Sequence, residues 1–147
     1  FIGGSPSSTS GGIKVTTAYV GIKSLTSYAK GKQTITHKRL INDETKQKAF
    51  TLIFTALIII LIGTSIILYF DDYGLDKILF EVVSAFSNVG FTIDLTPKLK
   101  GISKLVLLLV MFIGRVGPLT IISLFNKNWY KKGYSNVGYI EERISIG

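Results

Sequence analysis

Ala49–Phe70 reads AFTLIFTALIIILIGTSIILYF, 22 residues without one charge. A bilayer's hydrocarbon core of about 30 Å needs about 20 apolar residues in a helix, so this run is long enough to cross. A second run, Leu105–Phe125, has 21 residues and a single charge, Arg115, within a span bounded at 103–125. A buried core helix of a soluble protein is the competing reading. Two such runs in a chain of 147 residues disfavour it. The composition agrees: 47% of residues are hydrophobic and mean hydropathy is +0.42. Only 18% are charged, yet 17 Lys and Arg against 9 Asp and Glu leave +8. These values exclude a disordered acidic chain and favour an integral membrane protein with basic loops. The chain holds no cysteine, which excludes disulfides and thiolate metal sites within it. One histidine, His37, is too few for a histidine zinc site. Phe1-Ile-Gly-Gly carries no signal-peptide pattern, and the chain reads as part of something longer.

The flanks set the orientation. Lys30, Lys32, Lys38, Arg39, Lys46 and Lys48 precede the first span, against Asp43 and Glu44. Lys127, Lys131, Lys132 and Arg143 follow the second. Between the spans lie Asp71, Asp72, Asp76, Glu81 and Asp94, with three lysines. The positive-inside rule puts both basic flanks in the cytoplasm and the acidic segment outside. Tyr69, Phe70 and Tyr73 suit the outer interface, Trp129 and Tyr130 the inner one.

The acidic segment is more than a loop. Leu75, Ile78, Leu79, Val82, Val83 and Phe86 recur at helical spacing and form one apolar face. Gly74 to Phe86 is 13 residues, roughly 20 Å of helix, which is too short to cross but long enough to dip halfway. Its C-terminal end would aim a partial negative charge into the bilayer, which favours a cation. Ser84-Ala85-Phe86-Ser87-Asn88-Val89-Gly90-Phe91-Thr92 follows, small, polar and glycine-bearing, and Ile93–Pro97 leads back to the second span. Irregular backbone at membrane depth is tolerated only where protein or water covers it. Span, half-helix, glycine-bearing return and span is the plan of a pore loop. An amphipathic helix lying on the outer surface is the alternative.

Ahead of the first span, Gly3 to Lys14 is rich in Gly and Ser. It fails as a phosphate cradle, because Ile13 precedes Lys14 and Val15 stands where a hydroxyl residue would reach magnesium. A flexible linker is the remaining alternative. Thr9-Ser10-Gly11-Gly12 faintly echoes Asn88-Val89-Gly90-Phe91, each a glycine after a short polar approach, as in two copies of one unit.

Three blocks carry a resemblance: FIGGSPSSTSGGIKVTT, FEVVSAFSNVGFT and LLLVMFIGRVGPLTI. They closely resemble, in the same order and over nearly the whole chain, blocks of the Ktr/Trk/HKT superfamily of potassium transporters. The likeness is nearest to the Ktr-type bacterial pore subunit. The resemblance implies an all-α integral membrane fold of membrane–pore–membrane repeats around a potassium-channel-like pore. It implies a partial third repeat and a complete fourth. Residues 1–30 would be the filter segment and inner helix of the third repeat, and 31–48 a cytoplasmic basic loop. Residues 49–125 would be the fourth repeat (span 49–70, pore helix 74–86, filter 87–92, span 103–125), and 126–147 a cytoplasmic tail.

By the same resemblance the ion-binding filter comprises Ser8, Thr9, Ser10 and Gly11, with Ser87, Asn88, Val89, Gly90 and Phe91. Potassium would be held by backbone carbonyls at Gly11 and Gly90. Filters of this kind replace a cation's hydration shell with carbonyl oxygens, and glycine lets backbone turn toward the ion. The chain lacks TVGYG, and its filter residues leave potassium and sodium undistinguished.

Arg115 sits near mid-span, where a charge costs at least about 2.5–3.5 kcal/mol on insertion scales. The resemblance places it in the pathway below the filter, as a gate or electrostatic barrier. A structural arginine bonded to helix-end carbonyls is the alternative. Gly114, Gly117 and Pro118 make bending plausible there. Gly21, Ser24, Thr26 and Ser27 would loosen the third repeat's inner helix and interrupt it at a gating loop. Lys14 and Lys23 are read as snorkelling or cavity-facing, without an ion-binding role.

The expected function is potassium uptake across the cell membrane, gated from the cytosol, by a multi-pass protein. Its basic loop and C-terminus would be cytoplasmic. The alternative is a non-conducting membrane anchor or assembly subunit. The resemblance implies a homodimer of the full-length subunit on a ring of cytosolic nucleotide-binding regulatory subunits, with 31–48 and 141–147 as candidate contact surfaces; topology signal and lipid-headgroup attraction are the alternative reading of both stretches. No cofactor is expected, only potassium as cargo and sodium as a candidate coupling ion. No nucleic-acid partner is expected. No Ser/His/Asp or metal constellation supports an enzyme. Glu81 reads as a lone acid, and Asp71 and Asp72 as exposed cation attractors or loop charges.

Overall fold

The structure, a computed structural model, describes residues 1–5, 10–32, 34–36, 39–118 and 120. Ser8 and Thr9, the end of the 103–125 span and the expected tail 126–147 lie outside them. The described chain is mostly helical: α1 (Val15–Ala29), α2 (Asp43–Phe70), α3 (Leu75–Ser87) and α4 (Gly101–Val116), with a 3-10 turn at Thr96–Lys98. A two-residue hairpin, β1 (Ile35–Thr36) with β2 (Arg39–Leu40), pairs Ile35 with Leu40 and Thr36 with Arg39.

α2 begins at Asp43, ahead of the apolar run, because its first turns are polar and self-supporting. Asp43 and Glu44 sit at the positive end of the helix dipole. Lys46 pairs with Asp43 at 2.8 Å and Lys48 with Glu44 at 2.7 Å. Such exposed pairs add only tenths of a kcal/mol each, about 0.3–0.5. Twenty-eight residues give a helix of roughly 42 Å, longer than a bilayer core. Among the described residues it is the one helix long and apolar enough to cross. Its inner face is Ala49, Ala56, Ile60, Gly63, Thr64 and Ile67. Phe54, Leu57, Leu61 and Ile62 face outward, as on a helix with lipid behind it.

α3 packs against both α2 and α4, which also pack on each other. Ile78, Val82 and Phe86 of its apolar face are fully buried, in one cluster with Ile60, Ile67, Leu107 and Val110. Leu75, expected on that face, is exposed at the first turn, beyond the reach of the neighbouring helices. Gly63 brings α2 close: a Cβ there would lie 3.1 Å from Val110 and 3.4 Å from Val82.

Two expectations need correction. α1 is one continuous helix through Gly21, with no interruption. Gly21, Ser24 and Ser27 form its buried face, and a Cβ at Gly21 would lie 2.7 Å from Ile53 Cδ1. The small residues allow α1 to approach α2; they do not loosen it. α4 ends at Val116, and Gly117 takes φ +91 ahead of Pro118, within the stretch where Gly114, Gly117 and Pro118 make bending plausible from the sequence. That conformation favours glycine, and a residue before proline is biased away from the helical region.

Asp71 is not an exposed loop charge. It is buried, and its carboxylate accepts the Lys100 amide at 3.3 Å and the Ser103 hydroxyl. Lys100 Nζ in turn donates to the Phe70 carbonyl. A carboxylate from the end of α2 therefore caps the start of α4, satisfying an amide that the helix itself leaves open. Asp72 is exposed, as expected.

Candidate functional site

The C-terminal end of α3 organises the site. Asn88 takes φ 53, the left-handed conformation that asparagine tolerates better than most residues. Its amide donates to Ala85 at 3.0 Å and the Val89 amide to Ser84 at 3.2 Å. These two bonds are the Schellman pattern that ends a helix. Asn88 Nδ2 donates to the Met111 carbonyl at 3.0 Å and fixes this end to α4.

Three glycines converge here. A Cβ at Gly114 would lie 1.9 Å from the Phe86 carbonyl oxygen, so only glycine lets α4 touch the last turn of α3. A Cβ at Gly11 would lie 2.4 Å from Asn88 Nδ2 and 3.0 Å from Phe86 O. Gly12, at φ +77, sits over Ser87, and its amide donates to the Gly114 carbonyl at 3.3 Å. Residues 1–4 line this segment from outside: the Gly3 amide donates to Ile13 O at 2.7 Å, and Phe1 stacks on Phe86. Ser87 Oγ is buried without a hydrogen-bond partner among the described residues, which leaves an oxygen donor open at this junction.

Beyond Asn88 the chain turns through Gly90 at φ +84 with open space around it. Val89 and Phe91 are exposed. The return is held from α3: Ser84 Oγ donates to Phe91 O at 2.6 Å. Buried Glu81 accepts Thr92 Oγ1 at 2.5 Å, the Ile93 amide at 3.0 Å and Thr96 Oγ1 at 2.7 Å. An open cavity of about 730 Å³ borders Gly90, Phe91, Thr92, Leu108, Met111 and Phe112. At the outer surface Lys98 pairs with Asp94 at 2.9 Å. That hydrogen bond and charge raise its ammonium pKa above the ordinary value.

Arg115 follows Gly114 directly and is exposed. It borders a second, smaller cavity of about 110 Å³ with Ser10, Gly12, Lys14, Thr17 and Pro118. Bonding of Arg115 to helix-end carbonyls is not seen among the described residues. Lys14, read from the sequence as snorkelling or cavity-facing without an ion-binding role, borders this cavity and donates through Nζ to the Ser10 carbonyl at 2.6 Å.

The structure thus brings Gly11 against Asn88 and Gly12 against Ser87, and leaves Gly90 facing open space. The contacts of Glu81 and Lys14 were missed from the sequence. A hydroxyl pair at Thr92 and Thr96, four residues apart and downstream of a lone acid, was the available signal for the first. Among the described residues no three His, Cys, Asp or Glu side chains group as metal ligands. The oxygens at this junction belong to carbonyls and hydroxyls, which suit hard, weakly held cations.

The sequence of residues 1–133 matches the family model for TrkH, cation transport protein. The chain belongs to this family. The TrkH family is one of membrane transporters for cations. Among similar proteins is Ktr system potassium uptake protein D of Bacillus subtilis (strain 168), 34% identical over 148 residues. The alignment covers 100% of this chain and 32% of that protein. Ktr system potassium uptake protein B of the same organism is 36% identical, with the same coverage. Potassium/sodium uptake protein NtpJ of Enterococcus hirae is 36% identical over 153 residues, covering 100% of this chain and 34% of that protein. The chain spans about a third of the length of these relatives.

Proposed function

We propose that this chain forms part of the pathway of a potassium uptake protein of the cell membrane, with α3 as a re-entrant pore helix. Ser87, Asn88, Val89, Gly90 and Phe91 form one filter segment, and Ser8, Thr9, Ser10 and Gly11 the neighbouring one. The observation that carries this reading is the abutment of Gly11 on Asn88 and Phe86, at the C-terminal end of a helix too short to cross. That end carries a partial negative charge, and the glycine turn beyond it lets carbonyls face a cation. Potassium is the preferred cargo, in line with the names of the relatives. Sodium is a candidate coupling ion, and no resident cofactor takes part.

Arg115 lies one residue from the glycine that meets the filter end, and acts as the gate or barrier below it. Lys14 and the positive N-terminal end of α1 border the same small cavity and add to that field. The spans pass the membrane with 31–48 and the C-terminus in the cytoplasm. The full-length protein works as a homodimer on a ring of nucleotide-binding regulatory subunits.

Cysteine accessibility tests this reading against a surface helix on a non-conducting anchor. The chain has no native cysteine, so Val89→Cys and Phe91→Cys report cleanly within it. In the full-length protein, a membrane-impermeant thiol reagent added outside should label both slowly, and rubidium should protect them. Rapid labelling indifferent to rubidium is the result expected of the anchor.

A further inference from the structure

We infer that Glu81 is a positioning residue for the filter: its carboxylate holds the outer return of the 87–92 loop and so fixes the direction of the backbone at Gly90. The inference rests on the proposed pathway. Glu81 is 4% exposed, and each of its carboxylate oxygens accepts at least one hydrogen bond. The donors Thr92, Ile93 and Thr96 lie in the return. No basic side chain pairs with Glu81 among the described residues. Burying an unpaired carboxylate is costly unless several hydrogen bonds compensate, so these donors are bound to the carboxylate as a set.

The arrangement brackets one short segment. On its inner side Asn88 is tied to Met111 of α4. On its outer side Phe91, Thr92 and Ile93 are tied to Ser84 and Glu81, one turn apart on α3. The Val89 amide is itself bound to the Ser84 carbonyl, so Gly90 alone is left between the anchors, and it has nothing packed on it. Its carbonyl direction is therefore set by the anchors, chiefly by the carboxylate that makes three of the outer bonds. Ion selection by carbonyls depends on where they point and how firmly they are held.

The test compares rubidium-over-sodium preference in the full-length protein for Glu81→Ala, Glu81→Gln and the double variant Thr92→Val/Thr96→Val. Glu81→Ala should lower the preference about fivefold, the scale of losing about one net hydrogen bond. Glu81→Gln should keep most of it, because its carbonyl still accepts from Thr92 and Ile93 while its amide donates to Thr96. The threonine double variant should fall with Glu81→Ala. If Glu81→Ala fails to reach the membrane, the threonine variant decides alone. Wild-type preference in the threonine variant, or in a well-expressed Glu81→Ala, overturns the inference. A loss in Glu81→Gln as large as in Glu81→Ala also overturns it and assigns the effect to charge. Gly90→Ser, measured alongside, separates the two levels. If it alters selectivity and the Glu81 set does not, the tether is wrong and the pathway stands; if neither does, the pathway itself fails.

Discussion

Gly114→Ala should abolish accumulation of folded protein in the membrane. The added methyl would lie 1.9 Å from the Phe86 carbonyl oxygen, 2.8 Å from its carbon and 3.1 Å from its Cα. These are backbone atoms of a helix whose end is fixed by two capping bonds and by the Asn88 link to α4. No side chain can swing aside. α4 would have to move away from α3 and lose the Gly12 amide bond to Gly114 together with the packing of Val110 and Leu107. Overpacking commonly costs about 1–3 kcal/mol where side chains can give way, and here the cost should exceed that range. Gly101→Ala is the matched control, since a Cβ there meets nothing within 4 Å. A fluorescent fusion followed by size exclusion in detergent reads both. Gly101→Ala should elute as wild type and Gly114→Ala should be absent or aggregated. A normal Gly114→Ala peak would contradict the packing described for α3 and α4.

Arg115→Gln should raise rubidium uptake by about tenfold when flux is limited by the barrier below the filter. For illustration, two unit charges about 8 Å apart at an effective dielectric of about 20 repel by about 2 kcal/mol. Partial screening brings this near the 1.4 kcal/mol that equals a factor of ten. The side chain is exposed, and no hydrogen bond or ion pair is described for it, so the substitution removes charge with little loss of packing. Arg115→Lys keeps the charge and should stay near wild type. Unchanged or reduced uptake in Arg115→Gln at normal membrane levels would count against Arg115 as the barrier.

Patterns along the chain were legible; partners across it were not. The period of Leu75 to Phe86 predicted a helix from Gly74 to Phe86, and one runs from Leu75 to Ser87. The charge-free run at Ala49–Phe70 predicted a long apolar helix, and α2 contains it. Both depend on local spacing, which a sequence displays directly. Asp71 and Glu81 were read as unattached acids because their partners lie 11 to 32 residues away. Nothing local distinguishes a capping or clasping carboxylate from a solvated one. α1 shows a different limit. Gly21, Ser24 and Ser27 are equally compatible with a loosened helix and with one pressed against a neighbour; only the position of Ile53 decides between them. Gly90 was legible as a special glycine, but its open surroundings were not.

Those surroundings make Gly90 the most informative position. At φ +84 a side chain is strained by about 1–2 kcal/mol, yet it would meet no atom within 4 Å. A substitution there therefore acts on the backbone of the proposed filter and on little else. The decisive measurement is rubidium and sodium uptake by the full-length protein in cells lacking other potassium uptake, comparing wild type with Gly90→Ser. Conduction past Gly90 predicts lower rubidium uptake or a relaxed rubidium-over-sodium preference at unchanged membrane levels. Unchanged uptake and unchanged selectivity would contradict it and leave α3 as part of a non-conducting anchor.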